Sequence, residues 1–285
     1  MAVFTKRQEI SGAVAAFKKA GNLVGFVPTM GALHLGHTSL IDAALQQVDV
    51  VVVSIYVNPT QFNNPDDLKA YPRDIKTDID FLDRYKEKVV VYTPDSHEVY
   101  GENISSNAYD FGGLERQMEG KYRPGHFEGV GTVLKLLFET VQPDKAFFGE
   151  KDFQQLQIVR KLVEIEKLPI EIIGVPIHRA SDGLAESSRN RRLTNNQREA
   201  APFIYQTLLQ VKKDFGTKSI TQLNTWVAEQ FKNNKDLTLE YFEIADPKTL
   251  KTAQNRLKNH DYRAFIVVFA GDIRLIDNIT LTQNA

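Results

Sequence analysis

The chain contains no cysteine. Disulfides, a thiol nucleophile and thiolate metal centres are thereby excluded. Neither sign of charge is in surplus: 35 Lys and Arg stand against 36 Asp and Glu, a formal net charge of −1. A chain whose main partner is DNA or RNA usually carries a basic excess, so no nucleic-acid partner is expected. No apolar run approaches the ~20 residues of a membrane span, and residues 1–9 hold no apolar stretch of signal-peptide length. The expectation is a soluble cytoplasmic protein that engages no membrane. There are only six histidines, and no pair of them has a carboxylate placed to complete a metal-binding helix, so no structural metal is expected.

What is present suits a substantial core. Of 285 residues, 42% are hydrophobic, enough for one large domain or two smaller ones. Strand-like runs at 23–28, 48–57, 88–93, 145–148 and 170–176 alternate with helical spacing at 34–47, 78–85, 130–141 and 152–166. Residues 48–57 are nearly all apolar and β-branched, as in a strand covered on both faces. Repeated βαβ units predict an α/β fold, a Rossmann-like doubly wound parallel sheet that binds ligands at the carboxyl ends of its strands. After about residue 175 the pattern changes. Two helices are expected at 195–215 and 219–232, then strands at 239–244, 263–269 and 273–279. Gly271 marks a hairpin turn between the last two. This predicts domains at 1–176 and 177–285, the second a smaller α+β unit.

Several segments just after predicted strands could carry chemistry. Pro28-Thr29-Met30-Gly31-Ala32-Leu33-His34-Leu35-Gly36-His37 runs from a strand through a small-residue turn into a helix. Helix starts carry unpaired N–H groups and attract phosphate, and His34 and His37 share a helix face. Asn58-Pro59-Thr60-Gln61 presents amides at a strand end. Lys121, Arg123 and His126 cluster before a helix and suit an anion. In Gly149-Glu150-Lys151-Asp152, Lys151 could neutralise a phosphate, and Asp152 could cap the next helix or hold Mg²⁺. Gln155 follows Lys151 by one turn. Ser187-Ser188-Arg189 suits an oligophosphate, because Arg engages oxygens in bidentate fashion. His97 and His260 read as surface residues. On the residues alone, an enzyme that joins a nucleotide to a phosphate-bearing substrate fits these segments too. The glutamines at 61 and 154–155 favour a small hydroxy acid.

His34-Leu35-Gly36-His37 is similar to the nucleotidyltransferase signature. Together with Val57-Asn58-Pro59-Thr60-Gln61-Phe62, Tyr71-Pro72-Arg73, Arg123-Pro124, His126-Phe127, Gly149-Glu150-Lys151-Asp152, Gln154-Gln155 and Ser187-Ser188-Arg189-Asn190, it closely resembles the pantoate–β-alanine ligase family over about the first 195 residues. The resemblance implies condensation of pantoate with β-alanine, driven by ATP with Mg²⁺, through a pantoyl adenylate. It also implies a homodimer and a C-terminal lid domain. By that likeness Met30, Gly31, Ala32, Leu33, His34, Leu35, Gly36 and His37 line the ATP site, with His37 as proton donor. Gly149, Glu150, Lys151, Asp152, His178, Glu186, Ser187, Ser188 and Arg189 contact ATP. Gln61 holds pantoate and later β-alanine, and Gln155 holds pantoate. The catalytic set is His34, His37, Lys151 and Arg189, meeting charge that grows on the phosphate oxygens. The likeness departs at His178, where the family usually has an aliphatic residue, and at Glu186, where it usually has Leu or Met.

Overall fold

A computed structural model describes residues 1–282 and divides them into two compact units. The first comprises residues 1–150 and 154–176; the second comprises 151–153 and those from 177 onward. Residues 151–153 therefore group with the second unit, although the chain reads on from strand to helix through them.

In the first unit six strands form one parallel sheet: β1 (Ala2–Phe4), β2 (Val24–Thr29), β3 (Val50–Ile55), β4 (Val89–Tyr92), β5 (Lys145–Gly149) and β6 (Glu171–Val175). Their spatial order is β1-β4-β3-β2-β5-β6. Between them run α1 (Arg7–Lys19), α2 (Leu35–Leu45), α3 (Pro65–Ala70), α4 (Ile75–Leu82), α5 (Ser96–Tyr100), α6 (Met118–Tyr122), α7 (His126–Val141) and α8 (Phe153–Ile165). Alternate residues of each strand face opposite sides of a sheet. Val27, Val51, Val53 and Phe147 pack with Ile41 and Ala44 of α2. Phe26 and Phe148 instead meet the ring of Phe138 from α7. The whole of β3 is buried, as its nearly all-apolar sequence predicts. The order of strands reverses between β2 and β5. The crevice outside the carboxyl ends of those two strands is where such sheets take ligands, and Thr29 and Gly149 are the residues at which the chain leaves them.

Helix α7 begins four residues earlier than its spacing suggests. Gly125 supplies a left-handed N-cap (φ +80°), and Gly129 and Gly131 sit inside the helix, where a Cβ at Gly131 would stand 2.9 Å from the Phe111 ring.

The second unit has α9 (Asn195–Ala200), α10 (Phe203–Asp214) and α11 (Ile220–Lys232) followed by the antiparallel strands β7 (Thr238–Ala245), β8 (Tyr262–Ala270) and β9 (Ile273–Leu281). The single helix expected over 195–215 is two, because Pro202 has no N–H to continue the ladder. The hairpin falls where Gly271 places it: Ala270 pairs with Ile273, and Gly271 is left-handed at φ +58°. Leu208, Val211, Leu223 and Val227 cover Ile266 and Val268 in one core.

Candidate active site

The turn after β2 is held from several directions. Thr29 Oγ1 donates to the Ser54 carbonyl (2.8 Å) and accepts from Gly31 N–H (3.2 Å). The chain then turns left-handed through Gly31 (φ +80°) and Ala32 (φ +51°). Asp78, on α4 and 2% exposed, receives Ala32 N–H at 2.9 Å and Leu33 N–H at 2.7 Å. A side chain on Gly31 would lie 2.8 Å from that carboxylate. The two histidines cap α2 reciprocally. His34 Nδ1 accepts from Gly36 N–H (3.1 Å), and His37 Nδ1 accepts from His34 N–H (3.2 Å). Their ring centres are 4.1 Å apart.

These bonds correct one expectation. The amides of Gly31, Ala32, Leu33, His34 and Gly36 do not form an open cradle; each already has an acceptor within the protein. The same bonds fix the ring tautomers. A nitrogen that accepts from a main-chain N–H carries no proton, so each neutral imidazole bears its proton on Nε2. The segment thus carries two Nε2–H groups at the start of α2.

The turn after β3 carries Gln61, which is 8% exposed. Its Nε2 lies 3.2 Å from Met30 Sδ, which links this turn to the first. Its main-chain carbonyl accepts from His126 Nδ1 (2.8 Å) and Arg123 Nη2 (3.3 Å). Two members of the basic segment expected to take an anion therefore brace Gln61. A carbonyl only accepts, so His126 carries its proton on Nδ1. Helix α7 presses backbone to backbone on this turn: a Cβ at Gly129 would stand 2.5 Å from the Thr60 carbonyl oxygen and 2.8 Å from Gln61 N. Neither atom can swing away. Gly129→Ala should therefore displace Gln61 and cost ~1–3 kcal/mol, the range for overpacking. Denaturant unfolding checks this, and a wild-type midpoint would refute it.

Of the paired glutamines, Gln154 is structural. It is 4% exposed, accepts from Glu119 N–H (3.0 Å) and donates to the carbonyls of Leu114 and Gln117 (2.9 Å each). Gln155 is half-buried on α8.

The second unit holds its own group. The Lys151 carbonyl accepts from Asn278 Nδ2 (2.9 Å), and its ammonium lies 3.6 Å from Asp152 Oδ2. Lys151, Ser187, Asn190 and Asp277 line one small cleft. Ser187 Oγ accepts from Arg189 N–H (3.3 Å) and starts the short helical turn Ser188–Arg192. Asp277 is gripped by Arg179 through two bonds of 2.6 and 2.9 Å. His178 is exposed, and its carbonyl accepts from Glu186 N–H (3.0 Å). His97 is exposed, whereas His260 pairs with Asp246 at 2.7 Å.

Among the described residues no three His, Cys, Asp or Glu side chains cluster as a metal cage. Asp152 is half exposed and beside Lys151. One such oxygen matches a Mg²⁺ that is held mainly by phosphates and water, not by protein. Sequence reading missed Asp78, Arg179 and Asp277, all of which act on residues remote in the chain.

A parallel sheet reversing between β2 and β5, with imidazole donors at the reversal, defines an α/β protein of the Rossmann-like class. Residues 2–280 match the model of the family described as pantoate-beta-alanine ligase. The chain is 54% identical over 283 residues to the pantothenate synthetase of Christiangramia forsetii, covering 99% of this chain and all of that one. It is 51% identical to that of Flavobacterium psychrophilum, with coverage of 99% and 100%. Its fold is similar to the crystal structure of pantothenate synthetase from Thermus thermophilus, with TM-score 0.88, 36% identity and coverage of 98% and 99%. It is also similar to the Francisella tularensis pantoate-beta-alanine ligase complexed with beta-gamma ATP and beta-alanine, with TM-score 0.80, 32% identity and coverage of 100% and 99%. The chain belongs to the pantoate-beta-alanine ligase family and is a ligase. No helix among the described residues is long and apolar enough to cross a membrane.

Proposed function

We propose that this enzyme joins pantoate to β-alanine in two steps, at the expense of ATP. A pantoate carboxylate oxygen attacks the α-phosphorus, the bond from that phosphorus to the bridging oxygen breaks, and diphosphate leaves. The β-alanine amine then attacks the pantoyl carbon, AMP leaves and the nitrogen loses a proton. Phosphoryl transfer needs positioning and charge stabilisation above all. The Nε2–H groups of His34 and His37 donate to phosphate oxygens, with His37 nearest the departing charge. Lys151 and Arg189 neutralise the polyphosphate, and Ser187 and Ser188 donate to it. Gln61 and Gln155 hold pantoate without quenching its charge. Asp152 would be the protein carboxylate for a Mg²⁺ bound with ATP, which would supply screening of the phosphate charge. A homodimer in the cytoplasm completes the reading.

One observation carries it: the Gln61 amide sits against Met30, so a neutral donor for a small acid adjoins the turn that leads into the paired imidazoles. Pantothenate formation, followed by mass with each of the three substrates omitted in turn, tests the overall reaction. Pantoate-dependent exchange of labelled diphosphate into ATP without β-alanine tests the intermediate. Pantothenate formation without such exchange would reject the adenylate.

A further inference from the structure

An amide's orientation is settled where one end faces a group that can only donate and the other a group that can only accept. Asn58 has both. Its Oδ1 accepts from the main-chain N–H of Thr60 (3.4 Å), and its Nδ2 donates to the main-chain carbonyl of Gly129 (3.2 Å). The same Nδ2 donates to Gln61 Oε1 at 3.0 Å. With its oxygen so engaged, Gln61 turns Nε2 toward Met30 Sδ. Thioether sulfur is a weak acceptor, so this N–H end is matched to a stronger one, such as a carboxylate oxygen.

The chain of bonds starts at Tyr100, the last residue of α5. Its hydroxyl donates to Asn58 Oδ1 at 2.6 Å and lies 2.9 Å from Thr60 Oγ1. Burial pushes its pKa up to about 12, so the hydroxyl keeps its proton at any working pH. Asn58 is 1% exposed, and a flipped amide there would set two oxygens against each other at Gly129 and two donors at Thr60.

We propose that Tyr100 is a positioning residue that reinforces, through Asn58, the polarity of the Gln61 amide that the Thr60 N–H and Gly129 carbonyl favour, so that the acid substrate meets N–H and not C=O. This rests on the reading of Gln61 as the pantoate-binding glutamine. It assigns to a side chain two hydrogen bonds removed from Gln61 part of the preference for an anionic substrate.

A cycle of Tyr100→Phe, Gln61→Ala and the double variant tests it. Tyr100→Phe should raise the pantoate KM ~3–10-fold, the worth of one ordinary hydrogen bond, and leave the ATP KM within about twofold of wild type. In the Gln61→Ala background it should add nothing, because its effect runs through Gln61. The Gln61 side-chain amide resonance, assigned by its loss in Gln61→Ala, should shift in Tyr100→Phe. Asn58→Asp, which puts an oxygen against Gln61 Oε1, should weaken pantoate binding further by reversing that amide. Additive effects in the cycle, or an Asn58→Asp enzyme that binds pantoate as wild type does, would overturn the proposal while the role of Gln61 stands. A pantoate KM unmoved by Gln61→Ala would overturn the role of Gln61 first, and the proposal with it.

Discussion

His37→Ala should form the acyl adenylate ~10²–10³-fold more slowly than wild type, equivalent to ~3–4 kcal/mol of lost transition-state stabilisation, while pantoate affinity changes only severalfold. Two losses combine. The Nε2–H donor disappears, and so does the acceptor that holds the main-chain N–H of His34. The second loss leaves α2 with half of its reciprocal cap, worth ~1 kcal/mol in stability. His37→Gln separates them. A glutamine at this position is the usual partner in a capping box, so it keeps the cap and removes the imidazole. It should melt close to wild type yet remain slow. Lys151→Ala should slow the same half-reaction without the cap defect. Rapid-quench measurement of adenylate formation with ATP and pantoate alone, beside thermal melts of each variant, decides the matter. Wild-type adenylation in both His37→Ala and Lys151→Ala would defeat the assignment of these donors to the first step.

Legibility in the sequence follows from how local the physics is. Strands β2 to β5 were readable because each is a short, largely apolar run, and burial on both faces of a parallel sheet demands just that; β6, at the sheet edge, was readable from its Ile172-Ile173 pair. The β8–β9 hairpin was readable because its turn needs a left-handed residue and Gly271 supplies it. At the amino end, β1 is a three-residue edge strand with two exposed positions, and α1 buries only Ile10 and Val14 among its thirteen residues. Neither presents enough apolar periodicity to be noticed. The residues proposed to carry chemistry were singled out for a related reason: doubly wound sheets bind ligands just past strand ends, and His34, His37, Gln61 and Lys151 all stand there. Their supports were not. Asp78 grips a turn 46 residues away, and Asp277 pairs across 98. Locally, each looks like ordinary charge in an amphipathic element. The expectation that this helix start meets phosphate through unpaired amides misses its partners for the same reason: Asp78, from another helix, holds Ala32 and Leu33 N–H, and the two imidazoles hold His34 and Gly36 N–H.

The second large effect is expected at Arg179. Its guanidinium stacks 3.6 Å from the Tyr205 ring centre, donates to the Gly183 carbonyl at 3.1 Å, and holds both oxygens of Asp277. The Asp277 side chain is 3% exposed. Burial pushes its carboxyl pKa up, and hydrogen bonding and charge from Arg179 are the main opposing influences, with Asn278 N–H and Lys151 helping; burial prevails. Arg179→Met strands a buried carboxylate and should cost ~3–5 kcal/mol. The pH dependence has a definite sign. A folded-state pKa above the unfolded value means the native protein binds the proton more tightly, so stability falls as pH rises from the unfolded pKa through the folded one. Removing Arg179 takes away the leading opposing influence and raises the folded pKa further. The deficit of Arg179→Met against wild type should thus be largest at neutral pH and shrink on acidification, as Asp277 takes up a proton. Replacing both partners, in Arg179→Met with Asp277→Leu, removes the stranded charge and should restore much of the loss, because a buried pair is worth far less than the penalty for halving it. Since Asp277 lines the same cleft as Lys151 and Ser187, the defect in the single variant reaches residues assigned to ATP. Denaturant unfolding of the three proteins between about pH 5 and 8 measures all of this. A deficit that stays constant with pH, or a double variant as unstable as the single one, would show that Asp277 is not held as a buried charge by Arg179.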